Sequence, residues 1–359
     1  MSHKAFIPAN DASAVMPMAP LLGHRTVDGD VGIEVEVEGN KFKKEYISEP
    51  WQYVEDHSLR GEDNAEYVLR RPIKFSEVPA AVSTLWEMME DYGSVLDDSN
   101  RTSVHVHLNF GKAYKDQVCC FTSLFYIVEE ILMEWCGSHR VGNLFCLRGK
   151  DAPGIVSKIK DFLIDDQYGR DHLTEGLHYA NLNIHALRKM GSIEVRGMRG
   201  VDDPALIVAW VGILERIYKL ASKYSDPREI CEGLSGQGPL PFVKHILGDY
   251  YELVRSGIPF SDQEVVDSAW TGIRLAQDLC YCRDWSKYVK PGLSEDPFGR
   301  RSEEANPYGQ TNYSAPASSM QATAPAAPTG VQWISGSSEI SSAILIEDVD
   351  GEWDEEGDF

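Results

Sequence analysis

The sequence has little positive charge, no paired-cysteine motif and no apolar run long enough to cross a bilayer. Its 34 Lys and Arg face 56 Asp and Glu, a formal charge of −22. That balance argues against a protein whose main work is gripping nucleic acid. The seven cysteines have no CxxC pairs and no framework spacing, so the plain reading is reduced thiols in a cytosolic compartment. The richest apolar stretch, CCFTSLFYIVEEILMEWC, is broken by Glu129 and Glu130, and the opening MSHKAFIPANDASAV carries no basic-then-apolar signal. Neither GxxxxGK[ST] nor a GxGxxG after a strand is present, so phosphate would be held by neither a P-loop nor a Rossmann turn. The expectation is a soluble cytoplasmic protein with no nucleic-acid or membrane partner.

What is present is typical of a globular protein: 359 residues, 43% hydrophobic and 25% charged, enough for one large domain or two ordinary ones. Residues 1–28 read as a loosely ordered leader. Residues 29–203 read as a strand-rich core and 204–290 as a helical block. Residues 291–359 turn to Pro, Ala, Ser, Gln and Thr and then to the acidic EDVDGEWDEEGDF. That last segment holds 13 acids and 2 bases, half of the chain's excess charge. It cannot bury enough apolar surface to offset its ordering entropy, so it is expected to be disordered, with a protein partner as one use for the acidic end.

Within the core, one helix is expected from an N-cap at Ser76 to Gly93. A second covers Tyr114–Cys136, stopped by Gly137, and a shorter one Ile155–Ile164. HYANLNIHAL and GSIEVRGM read as two strands around a turn at Lys189-Met190-Gly191. After Pro204 three helices are expected: ALIVAWVGILERIYKLASKY, PFVKHILGDYYELVRS and DQEVVDSAWTGIRLAQDLCYC, the last with a Ser261/Glu264 capping box. Strands with helices between them, without regular βαβ alternation, point to an α+β fold.

The strand candidates share an oddity. In GIEVEVEG, Ile33, Val35 and Val37 alternate with Glu34, Glu36 and Glu38, so period two puts a row of carboxylates on one face. In TSVHVHLNF, His105, His107 and Asn109 oppose Val104, Val106 and Leu108. Tyr179, Asn181, Asn183 and His185 fall in phase, as do Glu194 and Arg196, with Arg199 beyond; Asp56 and Glu66 sit in DHSLRGEDNAEYVLRRPI. Each stretch alone also fits a blander reading: a solvated strand face, a half-buried histidine pair or part of a Zn site, a same-strand ion pair, edge-strand asparagines. Together, with apolar faces on the helices, they would line one concavity. Crowded carboxylates raise each other's pKa and attract cations, and oxygen-rich sets with an occasional imidazole suit Mg²⁺ or Mn²⁺. Arg140, Arg196 and Arg199 add donors suited to phosphate.

These residues in this order resemble the amidoligase family, within the carboxylate-amine ligase superfamily built on the glutamine synthetase and glutamate-cysteine ligase catalytic fold. The resemblance runs from about Val31 to about Trp210. Its landmarks are GIEVEVEG, the Asp56–Pro72 block, HVHLN, RVGN at Arg140–Asn143, YANLN and IEVRGMRG. It implies a glutamine synthetase-like antiparallel sheet with a concave polar face and helices on the other face. Such ligases often occur in bacteriophage genomes, which would put the work in a host cytoplasm.

The resemblance implies a reaction in which ATP phosphorylates a carboxylate and an amine displaces phosphate, forming an amide or isopeptide bond. It implies two Mg²⁺ (or Mn²⁺): Glu34, His105 and Glu194 on one ion, and Glu36, Asp56 and Glu66 on the other. His107 and Asn109 fall nearer the nucleotide phosphates, and Asn183 and Tyr179 line the same cavity. Arg196 steadies the transferring phosphoryl group, Arg140 or Arg199 binds phosphate or the substrate carboxylate, and Glu38 is a candidate to take the amine's proton. Substrates would be small-molecule or peptide carboxylates and amines, including ammonia from a separate glutaminase. The pattern departs from the family at Leu69–Pro72, where Leu-Arg-Arg-Pro replaces a small residue and Ser-Pro. A metal-dependent hydrolase or phosphotransferase, and a scaffold working through its tail, are the alternatives.

Overall fold

The computed structural model describes residues 16–61, 63–165 and 169–285; the first 15 residues of the expected leader and the expected tail lie outside them. Among the described residues seven strands form an antiparallel sheet, and helices fill most of the remainder. The strands are β1 (Val31–Asn40), β2 (Trp51–Val54), β3 (Asn64–Leu69), β4 (Val95–Leu96), β5 (Ser103–Asn109), β6 (Leu182–Asn183) and β7 (Ser192–Arg199). Their order is β2-β3-β1-β5-β7-β6, with β4 paired to the end of β1. Strand alternation sets the layers. Val31, Ile33, Val35 and Val37 of β1, Ala65 and Tyr67 of β3, Val104, Val106 and Leu108 of β5, and Ile193 and Val195 of β7 all join the core. Their in-between neighbours form the opposite, polar face.

Ten helices are described: α1 (Met18–Leu22), α2 (Val78–Tyr92), α3 (Lys115–Cys136), α4 (Pro153–Ile164), α5 (His185–Met190), α6 (Pro204–Ala221), α7 (Arg228–Gln237), α8 (Pro239–Leu247), α9 (Tyr251–Ser256) and α10 (Asp262–Cys280). Helix α3 is buried on nearly every side, as a helix apolar all round must be. It contacts β7 of the sheet and also α6, α8 and α10. At its crossing with α10, a side chain on Gly272 would meet the Tyr126 carbonyl at 1.8 Å, so only glycine permits that approach. Phe110, Phe121 and Tyr218 pack edge-on with ring centroids 5.1–6.5 Å apart and tie β5 and α3 to α6.

Several expected elements differ. Part of the leader is ordered: Met18, Ala19 and Leu22 of α1 are buried, and the N–H groups of Met18 and Ala19 donate to the carbonyls of Ala113 and Gly111. Helix α2 starts at Val78 instead of behind a Ser76 cap, because a 3₁₀ turn over Phe75–Glu77 comes first. The single helix expected over PFVKHILGDYYELVRS is two, broken at Gly248 with φ +55°, where Arg216 of α6 donates to the carbonyls of His245 and Ile246. Helix α7 had no counterpart in the sequence reading. Of HYANLNIHAL only Leu182–Asn183 pairs as strand. Tyr179 closes a 3₁₀ turn and His185 opens α5, its N–H bonded to Asn183 Oδ1. The turn expected at Lys189-Met190-Gly191 is the end of α5, with Gly191 left-handed. The Ser261/Glu264 capping box is present.

Candidate functional site

Register brings the polar groups together. Glu36 of β1 lies opposite Glu66 of β3, and Glu34 opposite His105 of β5. His107 lies opposite Glu194 of β7, which in turn faces Asn183 of β6. Directly opposed residues have Cβ atoms about 5 Å apart, so five strands contribute to one continuous polar patch. A bulge completes it. Val106 pairs with Val195 but Val104 with Met198, so β7 carries one extra residue opposite His105, and Arg196 and Gly197 leave the ladder.

The side chains form a connected network. His105 Nδ1 is 3.0 Å from Glu34 Oε2 and 3.5 Å from Glu194 Oε1, while its Nε2 meets Ser103 Oγ at 2.8 Å. Ser103 Oγ donates to Glu36 Oε2 at 2.7 Å. Asn183 Nδ2 donates to Glu194 Oε2 at 2.6 Å, and Arg196 pairs with Glu194 Oε1 at 2.5 Å. His107 Nδ1 faces Ser192 Oγ at 3.2 Å. Its Nε2 lies 2.9 Å from Glu34 Oε1 without hydrogen-bond alignment, leaving a buried ring nitrogen with no hydrogen bond. Buried polar atoms are rarely left so.

Electrostatics follow from the crowding. Burial works to raise the Glu34 carboxyl, but the hydrogen bond from His105, the 2.9 Å contact with His107 and the charges of both outweigh it and hold the group well below its ordinary range. Burial likewise opposes a charged His107, and Glu34 with Glu194 overcomes it and raises that pKa. Burial would also raise Glu194; the charges of His107, Arg196 and His105 lower it instead. Among the described residues no cation pairs with Glu66. Burial, then the charges of Glu34, Glu36 and Asp56, push it up to about 8, with Arg196 opposing. The patch thus mixes ionised and protonated carboxyls at neutral pH, the state of a site short of positive charge.

Not every expected residue is free for such work. Arg140 is 1% exposed and donates to the carbonyls of Arg196 and Gly197. Those are the carbonyls the bulge releases, so Arg140 is the bulge's clamp and not a phosphate ligand. Arg199 donates to the carbonyls of Trp135 and Cys136 at the end of α3. Asn109 donates to Val27 and Gly29 carbonyls and accepts from the Gly111 N–H, closing a local turn. Tyr179 is exposed, outside the strand. Glu38 is buried, accepting from Arg60 N–H and Ser99 Oγ at 2.6 Å each. Asp56 accepts from Ser58 N–H and Oγ at 2.8 Å, yet its charge reaches Glu66. Ser103 and Ser192 were missed. Both were legible, Ser103 two residues before His105 in the same phase and Ser192 two before Glu194.

No protein-family model matches the chain, and no curated protein matches it.

Two carboxylates and one imidazole, from Glu34, His107 and Glu194, offer ligand atoms within 4.8 Å of one another. Two carboxylates and an imidazole nitrogen that contacts Glu34 without hydrogen-bond alignment could hold a divalent cation. The imidazole of this set is His107, where the sequence pattern suggests His105; His105 Nδ1 lies 3.0 Å from Glu34 Oε2 and 3.5 Å from Glu194 Oε1, and its Nε2 is taken by Ser103.

Proposed function

We propose that this protein is an ATP-dependent carboxylate-amine ligase with a glutamine synthetase-like catalytic sheet, working through an acyl-phosphate intermediate. The observation that supports it is the convergence of Glu34, His107 and Glu194 within 4.8 Å, beside a guanidinium, Arg196, paired with Glu194 at 2.5 Å. Phosphoryl transfer needs positioning and charge neutralisation more than a protein nucleophile, and this patch has acids, imidazoles and an arginine; its Ser103 hydroxyl, beside His105, is buried and donates to Glu36. Glu34, His107 and Glu194 would hold one Mg²⁺ (or Mn²⁺), with Glu36, Glu66 and Asp56 the candidates for a second. A bound divalent ion would neutralise phosphate oxygens and the acceptor carboxylate. His105, fixed by Ser103 and Glu34, keeps Glu34 aimed into the patch. Asn183 holds Glu194, and Glu194 with the Phe145 carbonyl holds Arg196, whose side chain is 20% exposed and is the candidate to meet a phosphoryl group. Glu38 would take a proton from the amine only by giving up one of its hydrogen bonds from Arg60 and Ser99.

The test is incubation of the full chain with MgATP and panels of carboxylates and amines. ADP release that requires both acceptors supports the ligase. Bond cleavage without nucleotide indicates the metal-dependent hydrolase, and a chain that binds neither divalent ion nor nucleotide by calorimetry leaves only a scaffold.

A further inference from the structure

The two imidazoles of the polar patch keep different company. His105 is hydrogen-bonded at both nitrogens, Nε2 with Ser103 Oγ at 2.8 Å and Nδ1 with Glu34 Oε2 at 3.0 Å. His107 is hydrogen-bonded at one. Its Nδ1 meets Ser192 Oγ at 3.2 Å, while its Nε2 is buried with no hydrogen bond. A hydrogen on that Nε2 would point past Glu34 Oε1, which lies 2.9 Å away but out of line. As a lone pair the same nitrogen is a ligand atom, and it belongs to the set within 4.8 Å of one another on Glu34, His107 and Glu194. An imidazole that binds an ion is neutral, so its one N–H must sit on the other nitrogen. For His107 that nitrogen is Nδ1, and the Ser192 hydroxyl is there to accept from it.

The strand pairing explains how Ser192 comes to that place. Ser192 and Glu194 lie two residues apart on β7 and so share a face, with Ser192 opposite Asn109 and Glu194 opposite His107. One strand therefore delivers both a carboxylate of the set and the partner of its imidazole. Both side chains are buried. Ligating imidazoles ordinarily give their second N–H to a carboxylate, a carbonyl or water, which fixes the tautomer and the rotation of the ring. A hydroxyl does the same without adding charge to a patch already rich in acids. Ser103 repeats the pattern on β5, two residues before His105, but it binds Nε2 and gives its own hydrogen to Glu36.

We propose that Ser192 is the positioning residue that makes His107 the cation ligand, by holding Nδ1 so that Nε2 is left free, while Ser103 keeps His105 out of that role by occupying its Nε2. The inference rests on the cation site of the proposed function and not on the ligase reaction.

Mn²⁺ binding by the metal-free full chain, followed by electron paramagnetic resonance without nucleotide, tests it. Ser192→Ala should lower the affinity by about tenfold, the lower end of what losing a ligand's hydrogen-bond partner costs. Its urea unfolding midpoint should stay near that of the unaltered chain. Ser192→Thr, which keeps the hydroxyl, should restore most of the affinity, and Ser103→Ala should lose less than Ser192→Ala. The nitrogen hyperfine coupling of a Mn²⁺-bound imidazole should persist in Ser103→Ala and disappear in His107→Gln. Unchanged affinity in Ser192→Ala, a Ser192→Thr chain that binds no better than Ser192→Ala, or a loss in Ser103→Ala as large as that in Ser192→Ala would each overturn the proposal. Imidazole coupling that survives His107→Gln would overturn it as well. An unaltered chain that binds no Mn²⁺ would remove the cation site and this role together. The ligase reading fails separately, as no acceptor-dependent ADP release from a chain that does bind Mn²⁺.

Discussion

Glu129 of α3 is a fully buried acid that the proposed chemistry does not use, and its ionisation should be visible in the stability of the whole protein. Burial pushes its carboxyl up to about 8, even though Asn181 Nδ2 and Gly149 N–H each donate to it at 2.9 Å and Arg148 lies nearby. At pH 7 the carboxyl therefore holds its proton, and that proton needs an acceptor. Asn181 Oδ1 is buried with no hydrogen bond; turning that amide over brings Oδ1 to the carboxyl. An acid whose folded pKa lies above its unfolded value holds its proton more tightly in the folded state. Its contribution to stability is complete below the ordinary value of 4.5 and is lost as pH rises through about 8. At about 1.4 kcal/mol per pH unit the loss across that window reaches about 5 kcal/mol. Glu129→Gln keeps the shape, cannot ionise, and can use the same turned amide. Urea unfolding of both chains at pH 5, 7 and 9 isolates this group, because other titrations cancel in the difference. The variant should gain on the unaltered protein by about 3–5 kcal/mol between pH 5 and pH 9. Parallel stability curves would refute the reasoning and show an ionised Glu129 held by Arg148.

Other perturbations separate structural from chemical roles. Arg140→Met should cost about 2–5 kcal/mol in denaturant unfolding, because two buried carbonyls lose their donor; unchanged stability with lost phosphate binding would return Arg140 to the site. Glu194→Ala should abolish acceptor-dependent ADP release while the cooperative unfolding transition persists, and unfolding of this variant at room temperature would make Glu194 a structural ion-pair partner. Arg196→Lys should lose most of the same activity, since an ammonium cannot give the two-pronged planar contact; full turnover in this variant would remove Arg196 from the mechanism. Because Glu66 is protonated at pH 7, Mg²⁺ binding there should release about one proton, measurable by calorimetry in buffers of different ionisation enthalpy.

The polar patch was legible wherever strand periodicity alone decides orientation. The alternation over Glu34–Glu38 and His105–Asn109 survives because each apolar partner, such as Val35 or Val106, has a core to fill, and a one-residue slip would turn every side chain over. What periodicity cannot show is where the ladder breaks. The extra residue at Arg196–Gly197 frees two carbonyls, and a buried carbonyl must find a donor. Arg140 supplies it, so a residue that looked like a phosphate ligand is consumed by backbone. The same competition accounts for Arg199, taken by carbonyls at the end of α3, and for Asn109, taken by the turn around Gly29 and Gly111. Arg196 differs because it sits on the bulge itself. Its own carbonyl is served by Arg140 and its N–H by Asn181, and its guanidinium divides between the Phe145 carbonyl, reached by Nε at 3.3 Å, and Glu194. All three arginines thus serve backbone carbonyls, and among the described residues only Arg196 also pairs with a carboxylate of the patch; an error in that accounting would appear first as an Arg140 variant that folds as well as the parent.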